Sequence, residues 1–159
     1  MEISRKLDYA LRMLCAVSRS DGGGIVSVRQ VAEAHGIPYS FARTIQHEMV
    51  KAGLLATMRG PRGGMTLAVD AASVTLLDII EAIEGPLRMG NVEGAPPNGD
   101  VRDMSELDLV LSGMDRLVHA YLGSVTLRQL AVERKVPVIC GSYRFEPVEA
   151  TRLVPSAEG

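Results

Sequence analysis

The chain has 159 residues, enough to bury one core, and carries 17 Lys/Arg against 19 Asp/Glu for a net charge of −2. No stretch approaches the roughly 18 apolar residues of a membrane-spanning helix, and the start MEISRKLDYA has no apolar signal core; neither membrane insertion nor export is supported, and a cytoplasmic chain is expected. Two cysteines far apart, Cys15 and Cys140, give no ground for a structural disulfide in that compartment.

Split by position, the charge is uneven. Residues 1–68 hold nine Lys/Arg and five Asp/Glu, a balance of +4, while residues 69–159 hold eight and fourteen, a balance of −6. Attraction to phosphate depends on local charge more than on the total, which makes the first half the candidate surface for an anionic polymer.

In chain order, Ser4 is a cap for a helix to about Ser18, with Leu7, Ala10, Leu11, Leu14 and Val17 as its apolar stripe. Asp21 to Gly24 reads as a turn, and Ile25-Val26 as a short strand. Ser27 and Gln30 have capping-box spacing for a second helix that stops at Gly36, where glycine tolerates the left-handed conformation. Pro38 then opens a third helix to about Ala52. Its spacing puts Phe41, Ile45 and Met49 on one face and leaves Tyr39, Ser40, Arg43, Thr44 and His47 for another. After Gly53, Leu54–Met58 and Met65–Val69 read as strands around the turn Arg59-Gly60-Pro61-Arg62-Gly63-Gly64. Two helices at a tight turn, followed by a hairpin tipped with arginine and glycine, make a winged helix-turn-helix.

Thr75 and Asp78 again have cap spacing, for a helix whose face is Leu76, Ile79, Ile80 and Ile83 and which Gly85-Pro86 stops. Pro86 to Asp103 is rich in glycine, proline and asparagine and reads as a long loop. Ser105 caps a helix to about Leu122 in which Leu107, Leu111, Met114, Val118 and Tyr121 recur at the seam spacing of paired helices, widened by Val110, Leu117 and Leu122. A stripe this broad implies pairing with a second copy, with an intramolecular core helix as the other reading. One more short helix is expected from Thr126 to about Arg134. The fold class is therefore mainly α with a small β wing: a winged helix-turn-helix over 1–85, a flexible loop over 86–104, a dimerisation helix and short following helix over 105–134, and a tail over 135–159.

A helix fits the major groove of DNA with its first residues nearest the bases, and an arginine on a thin hairpin fits a narrow minor groove. On that basis the candidate DNA-binding residues are Ser27, Arg29, Pro38, Tyr39, Ser40, Arg43, Thr44, His47, Arg59, Gly60, Arg62 and Gly63. The motifs Tyr9-Ala10-Leu11-Arg12, Val31-Ala32, Gly36-Ile37-Pro38, Lys51-Ala52-Gly53-Leu54-Leu55 and Arg59 to Gly64 together resemble the Rrf2 family of bacterial winged-helix regulators, over about residues 1–134. The resemblance implies a homodimeric, cytoplasmic transcription factor, most often a repressor, bound to an inverted repeat in double-stranded DNA.

The chain departs from that family in one respect. Cluster-binding relatives carry three close cysteines between the fourth helix and the dimer helix, whereas Pro86 to Met104 contains none. No iron-sulfur cofactor of that kind is expected, and Asp8, where some relatives place an acidic ligand, reads as a surface charge. Cys15 reads as a small core residue and Cys140 as the better candidate for oxidation. His119 reads as solvated, and no metal-ligand spacing is present among three histidines. A signal would then be a small-molecule effector, thiol oxidation at Cys140 or a partner protein. The alternative function is a winged-helix module that docks protein without sequence-specific DNA binding, and no constellation of catalytic residues supports an enzyme.

Overall fold

Helix α1 begins where Ser4 accepts the Leu7 amide N–H on its hydroxyl, at 3.0 Å, and runs over Arg5–Arg19 in a computed structural model of the chain. The structure describes residues 3–20, 24–60, 62–88 and 106–137. Two compact units divide it, one formed by the chain up to Leu87 together with Tyr121–Pro137, the other holding most of the long helix.

In the first unit, α2 spans Val28–His35, α3 Tyr39–Lys51, β1 Leu55–Met58, β2 Gly64–Leu67 and α4 Leu76–Glu84. Helix α1 lies at the centre: its buried Ala10, Met13, Leu14 and Val17 join Val31 and Ala32 of α2, Ile45 and Met49 of α3, Met65 of β2, Ile79 of α4, and Leu127 and Ala131. Each large apolar side chain so buried contributes roughly 1.5–3 kcal/mol. Strands β1 and β2 pair antiparallel from Leu55 opposite Leu67 to Met58 opposite Gly64, and Val26 adds an isolated bridge to Met65 where a short strand over Ile25-Val26 is expected.

Helix α4 has a complete capping box. The Thr75 hydroxyl accepts the Asp78 amide N–H at 3.2 Å, and the Asp78 carboxylate accepts the Thr75 amide at 2.9 Å. At the other end of α4 the Lys6 ammonium donates to the Ile83 carbonyl at 2.9 Å, with carboxylates of Glu48 and Glu84 at 3.5 and 3.9 Å. A cation there suits the negative end of a helix and ties α1, α3 and α4 together. Thr126 bridges Thr75, and the chain then forms a π-helical turn, Gln129–Glu133, where a short helix was expected. The Arg19 guanidinium donates through Nε to the Ala131 carbonyl of that turn at 2.8 Å.

Helix α5 spans Glu106–Gly123. Leu107, Val110, Met114 and Leu117 form its most open apolar line, while Leu111, Val118 and Tyr121 are half-buried. The Tyr121 hydroxyl donates to the Pro137 carbonyl at 2.9 Å, and the His119 Nδ1 lies 2.8 Å from the Asp115 carbonyl oxygen. The expected cap at Ser105, most of the loop from Pro86, and Cys140 lie outside the described residues.

Two local expectations are corrected. Ser27 occupies the cap position of α2 in extended conformation, yet its side chain makes no capping hydrogen bond, and the capping box with Gln30 does not form. Phe41 does not share the buried face of Ile45 and Met49; it is 37% exposed and meets Tyr9 edge-on at 5.7 Å, while Ala42 and Gln46 take the interior. The buried positions 42, 45, 46 and 49 follow the helical period, to which 41 belongs only at the margin.

Candidate nucleic-acid interface

The turn between α2 and α3 is built by two residues. Gly36 takes the left-handed conformation at φ 64°, and the Ile37 amide donates back to the Ala32 carbonyl at 2.8 Å, which ends α2. Pro38 then stands at the cap of α3 with φ −55°, close to what its ring imposes. Because Ala42, Ile45, Gln46 and Met49 are held in the core, the opposite face of α3 is fixed outward. Tyr39, Ser40, Arg43, Thr44 and His47 are all exposed on it. The Thr44 hydroxyl donates to the Ser40 carbonyl at 3.2 Å, so its methyl is the part left open.

The wing depends on glycine for close approach. A methyl group on Gly63 would stand 2.3 Å from the Met58 carbonyl oxygen, and one on Gly64 would stand 2.5 Å from that of Val26. The Gly63 amide donates to the Gly60 carbonyl at 2.9 Å, and Gly60 itself has φ 121°, a conformation other residues rarely adopt. Arg59 and Arg62 are exposed on this tip.

Between α2, α3 and the wing lies one groove of about 580 Å³. It is lined by Ser27, Arg29, Tyr39, Arg43, His47, Arg59, Gly60 and Gly63 of the residues singled out from sequence, while Pro38, Ser40, Thr44 and Arg62 lie outside its lining. Val28, Gln46, Val50, Thr57, Met58 and Gly64 also line the groove and are not among the residues expected from sequence. Met58 carries a usable signal, an apolar residue directly before the arginine of the tip; the signal at Gln46 is its place in the helical period of Ala42, Ile45 and Met49, which its polarity hides. The groove has three arginines, one histidine and no acidic residue in its lining, which makes it a cationic channel open to an anionic polymer. Within it the Arg29 guanidinium is stacked over the Tyr39 ring at 4.7 Å.

The family model described as an iron-dependent transcriptional regulator, Rrf2, matches residues 3–133. The chain belongs to the Rrf2 family. Among Rrf2 relatives, the transcriptional regulator IscR of Escherichia coli O9:H4 is 27% identical over 155 residues, covering 96% of this chain and 94% of its own. The regulator NsrR of Shouchella clausii is 29% identical over 89 residues, covering 56% and 60%. Of solved structures, the global cysteine regulator CymR of B. subtilis has a TM-score of 0.66 at 25% identity, covering 84% of this chain and 98% of that one. Oxidised CymR of Staphylococcus aureus has the same TM-score at 27% identity, covering 83% and 97%. The expected fold, mostly helical with a two-stranded wing, is thus that of Rrf2 regulators, and these relatives are transcriptional regulators rather than enzymes.

The description of the family as iron-dependent calls for a test of the donors. With two cysteines, this chain cannot supply three thiolates to one cluster. Cys15 lines the edge of the core, where burial pushes its thiol up against the opposing pull of Arg19, the reverse of what a metal ligand needs. No group of three His, Cys, Asp or Glu among the described residues is placed to hold a metal. The residues do not fit a three-thiolate cluster. No described helix is long and apolar enough to cross a membrane.

Proposed function

We propose that the chain is a sequence-specific regulator, acting as a repressor, that binds a palindromic operator as a homodimer without a three-thiolate iron-sulfur cluster. The observation that carries this reading is the common groove: Arg29, Arg43, His47 and Arg59 come from three separate elements and line one cationic channel. Helix α3 would enter the major groove with Tyr39, Ser40, Arg43 and Thr44 toward the base edges. Arg29 and His47 would meet phosphates at the groove edge, and Arg59 and Arg62 would enter the flanking minor groove.

Dimerisation rests on α5. Its open line of Leu107, Val110, Met114 and Leu117 recurs at 3, 4 and 3, and the half-buried Leu111, Val118 and Tyr121 widen it. A twofold dimer through this face gives two reading heads, and hence an inverted repeat with half-sites about one helical turn or a multiple apart. The repressor acts in the cytoplasm, and its signal is a small molecule, oxidation of Cys140 or a partner protein. Selection from genomic fragments followed by footprinting tests the reading. Two protected half-sites occupied by two chains are expected; retention of every fragment alike, lost on adding salt, would reduce the protein to a nonspecific binder.

A further inference from the structure

A second cavity, of about 310 Å³, opens where α1, the end of α2 and the π-helical turn meet. Leu11 and Leu130 give it apolar surface, and Cys15 and Arg19, one helical turn apart on α1, line it beside them. Arg19 is anchored through Nε to the Ala131 carbonyl, and no described residue takes its Nη groups, so the rest of the guanidinium fork is held in place and open. The Cys15 thiol, pushed up by burial, stays neutral at physiological pH and does not compete for that charge. Toward the start of α1, the Arg12 Nε lies 3.0 Å from both carboxylate oxygens of Asp8, so this second cation is already neutralised. Among the described residues the cavity therefore offers one cation without a carboxylate partner, a short apolar wall, and a volume at the lower end of small-molecule sites.

We propose that this cavity binds a short-chain monocarboxylate, its carboxylate on the Arg19 fork and its hydrocarbon on Leu11 and Leu130, and that it is the effector site of the regulator. A planar fork with free Nη donors recognises a carboxylate through paired hydrogen bonds, and one net charge favours a monoanion. The route to DNA is short. His35 lines the cavity and is the last residue of α2, directly before the Gly36 turn that aims α3. Binding itself is independent of DNA; only the effector role rests on the reading given under Proposed function.

The test is a titration of the full chain with butyrate, followed by amide NMR, with butylamine and butanol as uncharged-or-cationic counterparts. Saturable shifts at Leu11, Cys15, Arg19, His35 and Leu130 are expected with butyrate alone. Arg19→Gln should weaken binding about tenfold or more, and Arg19→Lys, which keeps the charge without the fork, should fall between. Shifts absent with butyrate, or equal with butylamine or butanol, overturn the site. Operator affinity should change with butyrate in the native protein and not in Arg19→Gln; saturable binding that leaves operator affinity unchanged overturns the effector role. Loss of all sequence-specific DNA binding would instead remove the function proposed above while the NMR result still decides the site.

Discussion

The guanidinium of Arg29, at the start of α2, lies 4.7 Å from the centre of the Tyr39 ring, at the start of α3. Such a contact contributes about 0.5–1 kcal/mol at an exposed site and holds a flexible cation at one place on the groove edge. Arg29→Gln should weaken operator binding and lower the salt slope by about one unit, as one phosphate contact is lost. Tyr39→Phe keeps the ring and should bind more tightly than Tyr39→Leu. Equal affinity of those two variants, measured by fluorescence anisotropy, would show that the ring face does not position the guanidinium.

The wing and the reading helix should fail in different ways. Arg59→Ala is expected to weaken binding and reduce its salt dependence, and unchanged affinity would remove the wing from the account. Ser40, Arg43 and Thr44 face outward at the first turns of α3, where side chains reach base edges. Substituting alanine there should change which sequence is preferred. A uniform loss over all sequences would make them phosphate contacts instead.

Gly64→Ala puts a methyl group 2.5 Å from the Val26 carbonyl oxygen and 2.7 Å from Ile25 Cγ2. The backbone atom cannot rotate away, so the bridge between Val26 and Met65 must open. A loss of about 1–3 kcal/mol is expected in urea unfolding, the usual size for overpacking. Stability equal to that of the native protein would mean that the wing shifts freely.

Asp78 links stability to acid. Its hydrogen bonds with the Thr75 side chain and backbone hold the carboxyl below its usual range in the folded state. A depressed folded pKa contributes stability that is present above the unfolded value of about 4 and is lost as pH falls through the folded value. Asp78→Asn should therefore be less stable than the native protein at neutral pH, with the gap closing in acid. Thr75→Ala should cost about 1 kcal/mol as a lost helix cap. A gap for Asp78→Asn that does not narrow below about pH 4 would assign its cost to packing.

Much of this architecture is legible in local chemistry. Gly36 and Pro38 mark the turn between α2 and α3, Gly53 the end of α3, and Thr75 with Asp78 the start of α4, because each acts through its own backbone or its near neighbours. What sequence could not give is decided by contacts between distant residues. Phe41 stands at the margin of the buried face of α3, and its contact there is the edge of Tyr9, on another helix, which local spacing does not reveal. Gln46 enters the core despite its polarity, since position 46 faces inward once Ala42, Ile45 and Met49 are packed. Ser27 has the residue type of a cap without its hydrogen bond, and sequence alone does not separate the two. Of the candidate site, the outward face of α3 and the wing tip follow from periodicity and turn chemistry. That Arg29 and Arg59 come to one groove requires the packing of α2 and the wing around α3.

The most direct test of the central claim is DNA binding by protein purified without oxygen, with an absorption spectrum and metal analysis of the same sample. A colourless, metal-free dimer that still selects one inverted repeat is expected. A brown sample whose selection of that repeat disappears when iron is removed would contradict it, and would mean that residues other than a thiolate triad hold the metal.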